Sequence, residues 1–195
     1  MKRRILIDCD GVITDYASAS FRKANELAGT SFTHDDCTGW DPLKRPEFQH
    51  IEDAVWNWIR KPGWAHDELK LYDGALEGVR SLQKFAIEND LLFRVLTSPA
   101  ETPTFCSDRW RAFDRDFGIH RHDIIFAHDK GGYNGICLID DKVENIQEWI
   151  AEHGRKKVVA FLWDRPWNRA ANFSHPKVIR TNDWNLVIEK LKVLV

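Results

Sequence analysis

Cysteine pairs at metal-ligand spacing are missing from this chain, and their absence argues against a cysteine-based zinc site. The 195 residues include four cysteines, at positions 9, 37, 106 and 137, without regular spacing. Cys9 and Cys137 fall inside apolar runs, where a small buried thiol is the usual interpretation. Because free thiols persist in a reducing compartment, we expect the protein to reside in the cytoplasm.

Long apolar runs and a strong excess of one charge are missing too. The longest apolar runs are far shorter than the ~20 residues that a transmembrane helix needs. Only three apolar residues separate the basic start, MKRR, from Asp8, so no signal peptide is expected. The formal net charge is −2, which provides no global field to attract nucleic acid. Neither a membrane nor a long nucleic acid is therefore an expected partner.

The residues that are present fit one globular domain. Hydrophobic residues make up 43% of the chain and charged residues 30%, which are ordinary values for such a domain. At 195 residues, the chain can bury a single core and still carry an inserted subdomain.

Apolar runs alternate with amphipathic stretches along most of the chain. The runs predict strands at residues 5–7, 91–96, 124–126, 136–139 and 158–162, with an edge strand at 178–179. Between them, one helical stripe begins at Leu76 with Asp73 as its N-cap, and another runs from Cys106 to Phe117. This alternation predicts an α/β fold of the Rossmann-like type, with a parallel sheet between two layers of helices.

One segment interrupts the alternation. Residues 16–72 lie between the first strand and a helix that starts near Gly74, and a single crossover needs far fewer residues. Helical stripes at both ends of the segment flank a turn-rich piece, residues 35–42. We predict that residues 16–72, the cap segment, form a small helical cap over the strand ends. Residues 1–15 and 73–195 would then form the catalytic core.

Carboxylates follow two of the predicted strands. Asp8 and Asp10 lie in the run ILIDCDG, and Asp140 and Asp141 end the run LIDD. In parallel α/β sheets, ligands bind at the carboxyl ends of the strands, where these acids would meet. Anions held so close repel each other unless a cation is present, and Mg²⁺ prefers oxygen ligands. We therefore predict a Mg²⁺ site formed by Asp8, by Asp10 through its backbone carbonyl, and by Asp140.

The acid pair after the first strand is typical of phosphoryl transfer. Asp8 can act as the nucleophile and form an aspartyl-phosphate, which divides hydrolysis into two easier displacements. Asp10 can donate a proton to the leaving oxygen and later activate water. Gly11 permits the sharp turn that brings the two carboxylates to one place.

Residues suited to binding the phosphoryl group follow other strands. Thr97 and Ser98 come after the second predicted strand and offer hydroxyl and backbone donors. Lys130 can offset the clustered negative charge, and Asp141 can orient Lys130 or a metal-bound water. Each feature alone also fits a turn, a helix start or a solvated loop. Their occurrence together, in this order, favours a phosphate site.

The ordered motifs resemble a known family. The segment DCDGV, the pair Thr97-Ser98, Lys130 and the pair Asp140-Asp141 are similar to the four motifs of the haloacid-dehalogenase-like (HAD) phosphatases, over nearly the whole chain. The longer segments DCDGVITDY, LTSP, DK and LIDD resemble the 5′(3′)-deoxyribonucleotidases. This resemblance implies a Mg²⁺-dependent phosphatase that acts on a small phosphomonoester, a nucleoside monophosphate, and carries a small helical cap.

The same resemblance implies an aromatic pocket for the nucleobase. The matching positions are Tyr16, Trp40, Trp58 and Trp64. Flat aromatic rings suit base stacking. Trp58 also lies on the apolar stripe of its helix, where it could belong to the core, whereas Trp56 lies off that stripe.

Other functions stay open at this stage. A phosphatase of the same type could act on a sugar phosphate or on a nucleic-acid 3′ end. A phospho-accepting receiver is disfavoured because no isolated aspartate follows the strand ending at Leu96. A non-catalytic nucleotide-binding protein is disfavoured because it has no need of Asp10. The base, the sugar, the position of the phosphate and a homodimeric state are left open. The segment DRPWN, residues 164–168, either borders the site or is a loop that packs Trp167.

Overall fold

Six parallel strands form the centre of the molecule. The computed structural model describes residues 2–195. Its strands are β1 (Arg4–Ile7), β2 (Leu92–Thr97), β3 (Ile124–Phe126), β4 (Cys137–Asp140), β5 (Val159–Trp163) and β6 (Val178–Thr181). They form one sheet in the order β3-β2-β1-β4-β5-β6. The predicted α/β class is confirmed, and each predicted strand is present to within two residues at either end.

Helices lie on both faces of this sheet. Along residues 2–195 they are α1 (Tyr16–Ala28), α2 (Glu52–Ile59), α3 (Trp64–Asp67), α4 (Ala75–Glu88), α5 (Phe105–Phe117), α6 (Val143–His153) and α7 (Trp184–Lys192). Buried residues of α4, α5 and α7 share one hydrophobic cluster with Ile5 and Ile7 of β1. Buried residues of α6 share another cluster with Leu6. Successive residues of β1 therefore face opposite helical layers, as the two-residue period of a strand requires.

The order of the strands determines where a ligand can bind. The central strand β1 has β2 on one side and β4 on the other, so the chain crosses to both sides of it. Open parallel sheets bind ligands at such a switch point, beyond the carboxyl ends of the strands. Ile7 pairs with Val95 of β2 and with Ile139 of β4. Asp8 and Asp140, which come next along their strands, therefore leave the sheet at the same edge.

Two local predictions are wrong. The N-cap of α4 is Gly74, in a left-handed conformation, and not Asp73. Cys106 is exposed, so it does not belong to the buried stripe of α5. The buried face of α5 instead carries a charged residue, Arg109, between Phe105 and Phe113. Hydrophobic periodicity finds Phe113 and Phe117 on this face but misses Arg109, which is buried by pairing with a carboxylate and not by apolar character.

The cap segment has its own hydrophobic cluster. Side chains from α1, α2 and α3 are buried together, chiefly Phe21, Val55, Ile59 and Trp64. Phe105 of α5 also belongs to this cluster and connects it to the rest of the molecule. This separate cluster supports the division into a core (residues 1–15 and 73–195) and a cap (residues 16–72), which stays a prediction. Among residues 2–195, no helix has both the length and the apolar character needed to cross a bilayer.

The contact between α4 and α7 provides a test of the packing. A Cβ at Gly78 would lie 2.2 Å from the ring of Trp184. We expect Gly78→Ala to lower the free energy of unfolding by about 1–3 kcal/mol through overpacking. This loss would occur despite a helix-propensity advantage of about 1 kcal/mol for alanine. Urea unfolding monitored by circular dichroism measures the change.

The matched control combines Gly78→Ala with Trp184→Ala. Removal of the indole frees the space, so in this background alanine at position 78 should no longer destabilise the protein. A Gly78→Ala variant as stable as the wild type would contradict the packing described for these helices.

Candidate active site

The site begins at the end of β1, where the backbone holds Asp8 in place. The amide of Asp8 donates to the carbonyl of Ile139 at 2.8 Å, which continues the pairing of β1 with β4. The amide of Cys9 donates to the Asp8 carboxylate at 2.7 Å. Asp8 is thus a buried carboxylate with a defined orientation at the edge of the sheet.

Three carboxylates converge at this edge. One oxygen from each of Asp8, Asp140 and Asp141 can be chosen so that all three lie within 4.8 Å of one another. The turn after β1 passes close to Asp141, since a Cβ at Gly11 would lie 2.2 Å from its Oδ2 atom. Gly11 also has a φ of +80°, which side chains disfavour. Glycine at this position is therefore required both for the turn and for the close approach of Asp141.

Lys130 joins two of these carboxylates. Its Nζ atom lies 2.7 Å from Oδ2 of Asp8 and 2.8 Å from Oδ2 of Asp140, and the side chain is buried. Asp140 is held further by the amide of Lys142 at 2.8 Å and by the side-chain amide of Asn145 at 3.0 Å. From the sequence we predicted that Asp141 could orient Lys130 or a metal-bound water. In the structure, Lys130 forms its ion pairs with Asp8 and Asp140.

Charge and burial perturb these groups strongly. Burial raises the pKa of Asp8 to about 7, with Lys130 acting to lower it and Asp140 to raise it. Burial, together with repulsion from Asp140 and Asp8, raises the pKa of Asp141 well above its usual value. Burial alone would lower the pKa of Lys130, but the charges of Asp140 and Asp8 raise it above the ordinary value. Three buried carboxylates thus lie near one buried lysine, which pairs with two of them.

This donor set fits a divalent cation. Carboxylate oxygens are the ligands that Mg²⁺ prefers, and oxygens of three carboxylates lie close enough together to bind one ion. Asp8, Asp140 and Asp141 are the side chains that could hold the ion. The sequence predicted Asp8, Asp140 and the backbone carbonyl of Asp10 as ligands of this ion, and these assignments stay predictions.

The side chain of Asp10 has different partners. Nη2 of Arg109 lies 2.5 Å from both carboxylate oxygens, and the Thr14 hydroxyl donates to Oδ1 at 2.7 Å. Arg109 is almost fully buried, and its guanidinium lies over the ring of Phe105. Sequence reasoning missed Arg109. The available signal was its spacing of four residues from both Phe105 and Phe113, which places it on the buried face of α5.

Thr97 and Ser98 reach the same place from β2. Thr97 is buried at the end of the strand, and its carbonyl accepts from the amide of Ala127 at 3.0 Å. The Ser98 hydroxyl donates to the carbonyl of Ala127 at 3.2 Å. Both residues line a cavity together with Asp8 and Lys130. The structure therefore brings all the predicted phosphate-binding residues to one cavity.

This cavity has a volume of about 480 Å³ and lies over the carboxyl ends of the strands. Its floor carries the acids and Lys130. Residues of the cap segment line the other side, and they are Tyr16, Ala17, Trp40, Asp41, Pro42, Trp56 and Arg60. The ring of Trp40 is 58% exposed, and Nζ of Lys142 lies 4.2 Å from its centroid. The cavity is therefore lined both by the acids and Lys130 and by aromatic rings.

The four aromatic residues predicted for the nucleobase pocket have different positions, and their role in base binding stays a prediction. Tyr16 and Trp40 line the cavity, whereas Trp58 and Trp64 do not. Trp64 is only 3% exposed and packs edge-on against Trp58, with 5.5 Å between ring centroids. Trp56 lines the cavity instead. Val55 and Ile59 of α2 point into the cap cluster, and this rotation turns the neighbouring Trp56 toward the cavity.

The segment DRPWN borders the site. Trp167 lines the cavity, and its indole Nε1 donates to Oδ2 of Asp141 at 2.8 Å. Arg165 donates through Nε to the carbonyl of Gly11 and lies over the ring of Tyr72. Of the two interpretations that the sequence left open, the structure supports the one in which this segment is part of the site.

Comparison with known proteins shows the family of the chain. A family model described as "5' nucleotidase, deoxy (Pyrimidine), cytosolic type C protein" matches residues 2–194. The chain belongs to this 5′-nucleotidase family. The resemblance carried by the ordered motifs is thereby confirmed, and membership makes the protein a phosphoric monoester hydrolase of the HAD type.

Solved structures support the fold of this nucleotidase family member. Among them, 18 chains match. One is the HAD-hydrolase YfnB from Bacillus subtilis bound to magnesium, with a TM-score of 0.55 and 14% sequence identity over 98% of this chain and 99% of that chain. At this identity, the similarity shows a shared fold. A search of the curated proteins finds no significant match.

Arg109 provides a test of how the site is assembled. We expect Arg109→Met to lower the free energy of unfolding by about 1–3 kcal/mol, because Asp10 loses charged hydrogen bonds in a partly buried place. Turnover should also fall, since Asp10 loses its fixed orientation. Urea unfolding and steady-state kinetics measure the two effects.

The matched control is Arg115→Met on the same helix. Arg115 pairs with Asp116 at the surface, where such a pair contributes about 0–1 kcal/mol. Equal free energies of unfolding for the two variants would show that the buried pair of Arg109 and Asp10 stabilises the fold no more than a surface pair does.

Proposed function

We propose that the protein is a Mg²⁺-dependent nucleotidase that removes the phosphate from a nucleoside monophosphate through an aspartyl-phosphate on Asp8. The observation that carries this proposal is one cavity of about 480 Å³ that is lined both by Asp8 and Lys130 and by Trp40 and Trp56 of the cap segment. The charged groups suit a phosphate and the aromatic rings suit a nucleobase. Such a volume lies within the usual range for small-molecule sites, about 300–1,000 Å³.

In the first step, an oxygen of Asp8 attacks the phosphorus atom. A bond forms between this oxygen and phosphorus while the ester bond breaks, and the leaving oxygen takes a proton from Asp10. Lys130 and the donors of Thr97 and Ser98 hold the phosphoryl oxygens. When bound by Asp8, Asp140 and Asp141, Mg²⁺ would neutralise charge on the phosphoryl group.

In the second step, water hydrolyses the aspartyl-phosphate. Asp10, now without its proton, removes a proton from the water, and the water oxygen attacks phosphorus. Inorganic phosphate leaves and the carboxylate of Asp8 is restored. Arg109 and Thr14 hold Asp10 at the wall of the cavity, where it can serve both steps without a change of position.

Aromatic rings are expected to bind the nucleoside. Trp40, Trp56 and Tyr16 line the cavity and offer flat aromatic rings. Base stacking on such rings contributes about 1–3 kcal/mol per base. The description of the matching family supports a pyrimidine deoxynucleoside 5′-monophosphate as the first substrate to test.

The cytoplasm remains the expected location. The four cysteines are unpaired, and three of them are buried, which is compatible with a reducing compartment. A homodimer stays an open prediction.

Asp8→Asn tests the assignment of the nucleophile. An amide cannot form the aspartyl-phosphate, so we expect phosphate release to fall by a factor on the order of 10⁴ or more. The fold should remain, because asparagine has nearly the same size as aspartate. Phosphate release is measured with Mg²⁺, and circular dichroism checks the fold.

Asp53→Asn, an exposed position on α2, is the matched control and should have normal activity. A normal rate of phosphate release by Asp8→Asn would show that another group attacks phosphorus.

A substrate panel with and without chelator tests the class of reaction. Pyrimidine and purine nucleoside monophosphates, with ribose or deoxyribose and with 5′ or 3′ phosphate, are compared with sugar phosphates. We expect nucleotides to be preferred, since the cavity joins aromatic rings to the acidic floor. EDTA should abolish activity and added Mg²⁺ should restore it. Preference for a sugar phosphate, or full activity in EDTA, would contradict the proposal.

A further inference from the structure

The carboxylate of Asp141 has one protein donor. The indole Nε1 of Trp167 donates to its Oδ2 atom at 2.8 Å, and within residues 2–195 no other side-chain or backbone donor reaches this carboxylate. Asp141 is buried beside Asp140 and Asp8, so repulsion favours its rotation away from them. The indole opposes that rotation by holding one oxygen and leaves the other without a donor.

The position of the indole is itself fixed. The side-chain amide of Asn168 donates to the carbonyl of Asp141 at 2.7 Å and to that of Trp163 at 2.8 Å. Arg180 of β6 donates to the side-chain oxygen of Asn168. The short turn Pro166–Asn168 is therefore tied to two neighbouring strand ends, and Trp167 has little freedom to leave Asp141.

The cap segment contacts the opposite side of the same ring. His34 packs edge-on against Trp167, with 5.3 Å between ring centroids. The ring of His34 is held in turn by the hydroxyl of Tyr72 at 3.2 Å. Trp167 thus lies between the cap segment and Asp141, and it also lines the cavity.

We propose that Trp167 is a positioning residue that orients Asp141 for the divalent cation and thereby sets the affinity of the site. This inference rests on the proposed function, because it assumes that the three carboxylates hold Mg²⁺. Removal of a residue that orients a metal ligand typically weakens metal binding by about 10- to 100-fold. We expect a loss of the same order when the indole N–H of Trp167 is removed. The proposed role also explains why the segment DRPWN contains a tryptophan, which has an N–H donor at the edge of a large ring.

The test measures Mg²⁺ binding to the substrate-free protein. Trp167→Phe keeps an aromatic ring against His34 but removes the N–H donor to Asp141. We expect the dissociation constant for Mg²⁺, measured by isothermal titration calorimetry, to rise by about 10- to 100-fold. Circular dichroism should show an unchanged fold, because Trp167 is only half-buried.

Trp110→Phe is the matched control. The Nε1 atom of Trp110 is buried and has no hydrogen-bond partner among residues 2–195. Trp110→Phe therefore removes an indole N–H group without breaking a hydrogen bond. This variant should bind Mg²⁺ as tightly as the wild type. A second comparison uses Asp141→Asn, in which the further change Trp167→Phe should have little additional effect.

The outcomes separate the two proposals. Wild-type affinity in Trp167→Phe would overturn the role of Trp167 while leaving the proposed function intact. If Trp167→Phe weakened Mg²⁺ binding equally in the wild-type and Asp141→Asn backgrounds, the role of Trp167 would also be overturned, because the effect would not depend on Asp141. A wild-type protein that binds no Mg²⁺ would overturn the cation of the proposed function, and this inference with it.

Discussion

One buried lysine between two buried carboxylates is the interaction on which the site depends. Lys130 contacts Asp8 from the end of β1 and Asp140 from the end of β4. Burying any of these charges alone would be very costly, and their mutual neutralisation makes the arrangement tolerable. The compensation is incomplete, because Asp141 adds a third carboxylate. The same shortage of positive charge that would destabilise the empty site is what makes it suitable for a divalent cation and a phosphoryl group.

Backbone geometry keeps these charges close together. Gly11 lets the turn after β1 approach Asp141, and Arg165 holds the carbonyl of Gly11 from the other side. Arg109 and Thr14 hold Asp10. Asp8 shares Lys130 with Asp140, whereas Asp10 is paired with Arg109, so the two aspartates of the DCDG segment occupy different electrostatic environments. Different environments allow two neighbouring carboxylates to take different roles in catalysis.

The site brings together elements that are distant along the chain. The carboxylates and Lys130 lie on strand ends, and the aromatic rings come from the cap segment. Trp167 contacts both groups, since it packs on His34 and donates to Asp141. The cavity is thus lined by residues from the beginning, the middle and the last third of the sequence, such as Asp8, Thr97 and Trp167. A change in the cap segment could reach the acidic floor of the cavity through this one ring.

Much of the sheet and of the candidate site could be predicted from local sequence patterns. Buried parallel strands are short apolar runs, so all six were predictable, and acids or hydroxyls directly after such runs must lie at one edge of the sheet. Asp8, Asp10, Thr97, Ser98, Asp140 and Asp141 were predicted in this way, and Lys130 was predicted from the loop that follows the third strand. Helix faces were less predictable. On α5, Cys106 is exposed although it was predicted to be buried, and Arg109 was missed because an ion pair, not hydrophobicity, decides its burial.

What the linear order of residues determined was therefore the fold class and the chemical groups at the strand ends, since both follow from short-range periodicity and from the geometry of parallel sheets. The three-dimensional packing alone decided the partners of those groups. Arg109 reaches Asp10, Trp167 reaches Asp141, and Trp56 rather than Trp58 or Trp64 faces the cavity. These choices depend on the rotation of a helix or the path of a loop, and a rotation of a single residue step turns a side chain by about 100°. No local pattern fixes an angle that is set by contacts with distant parts of the chain.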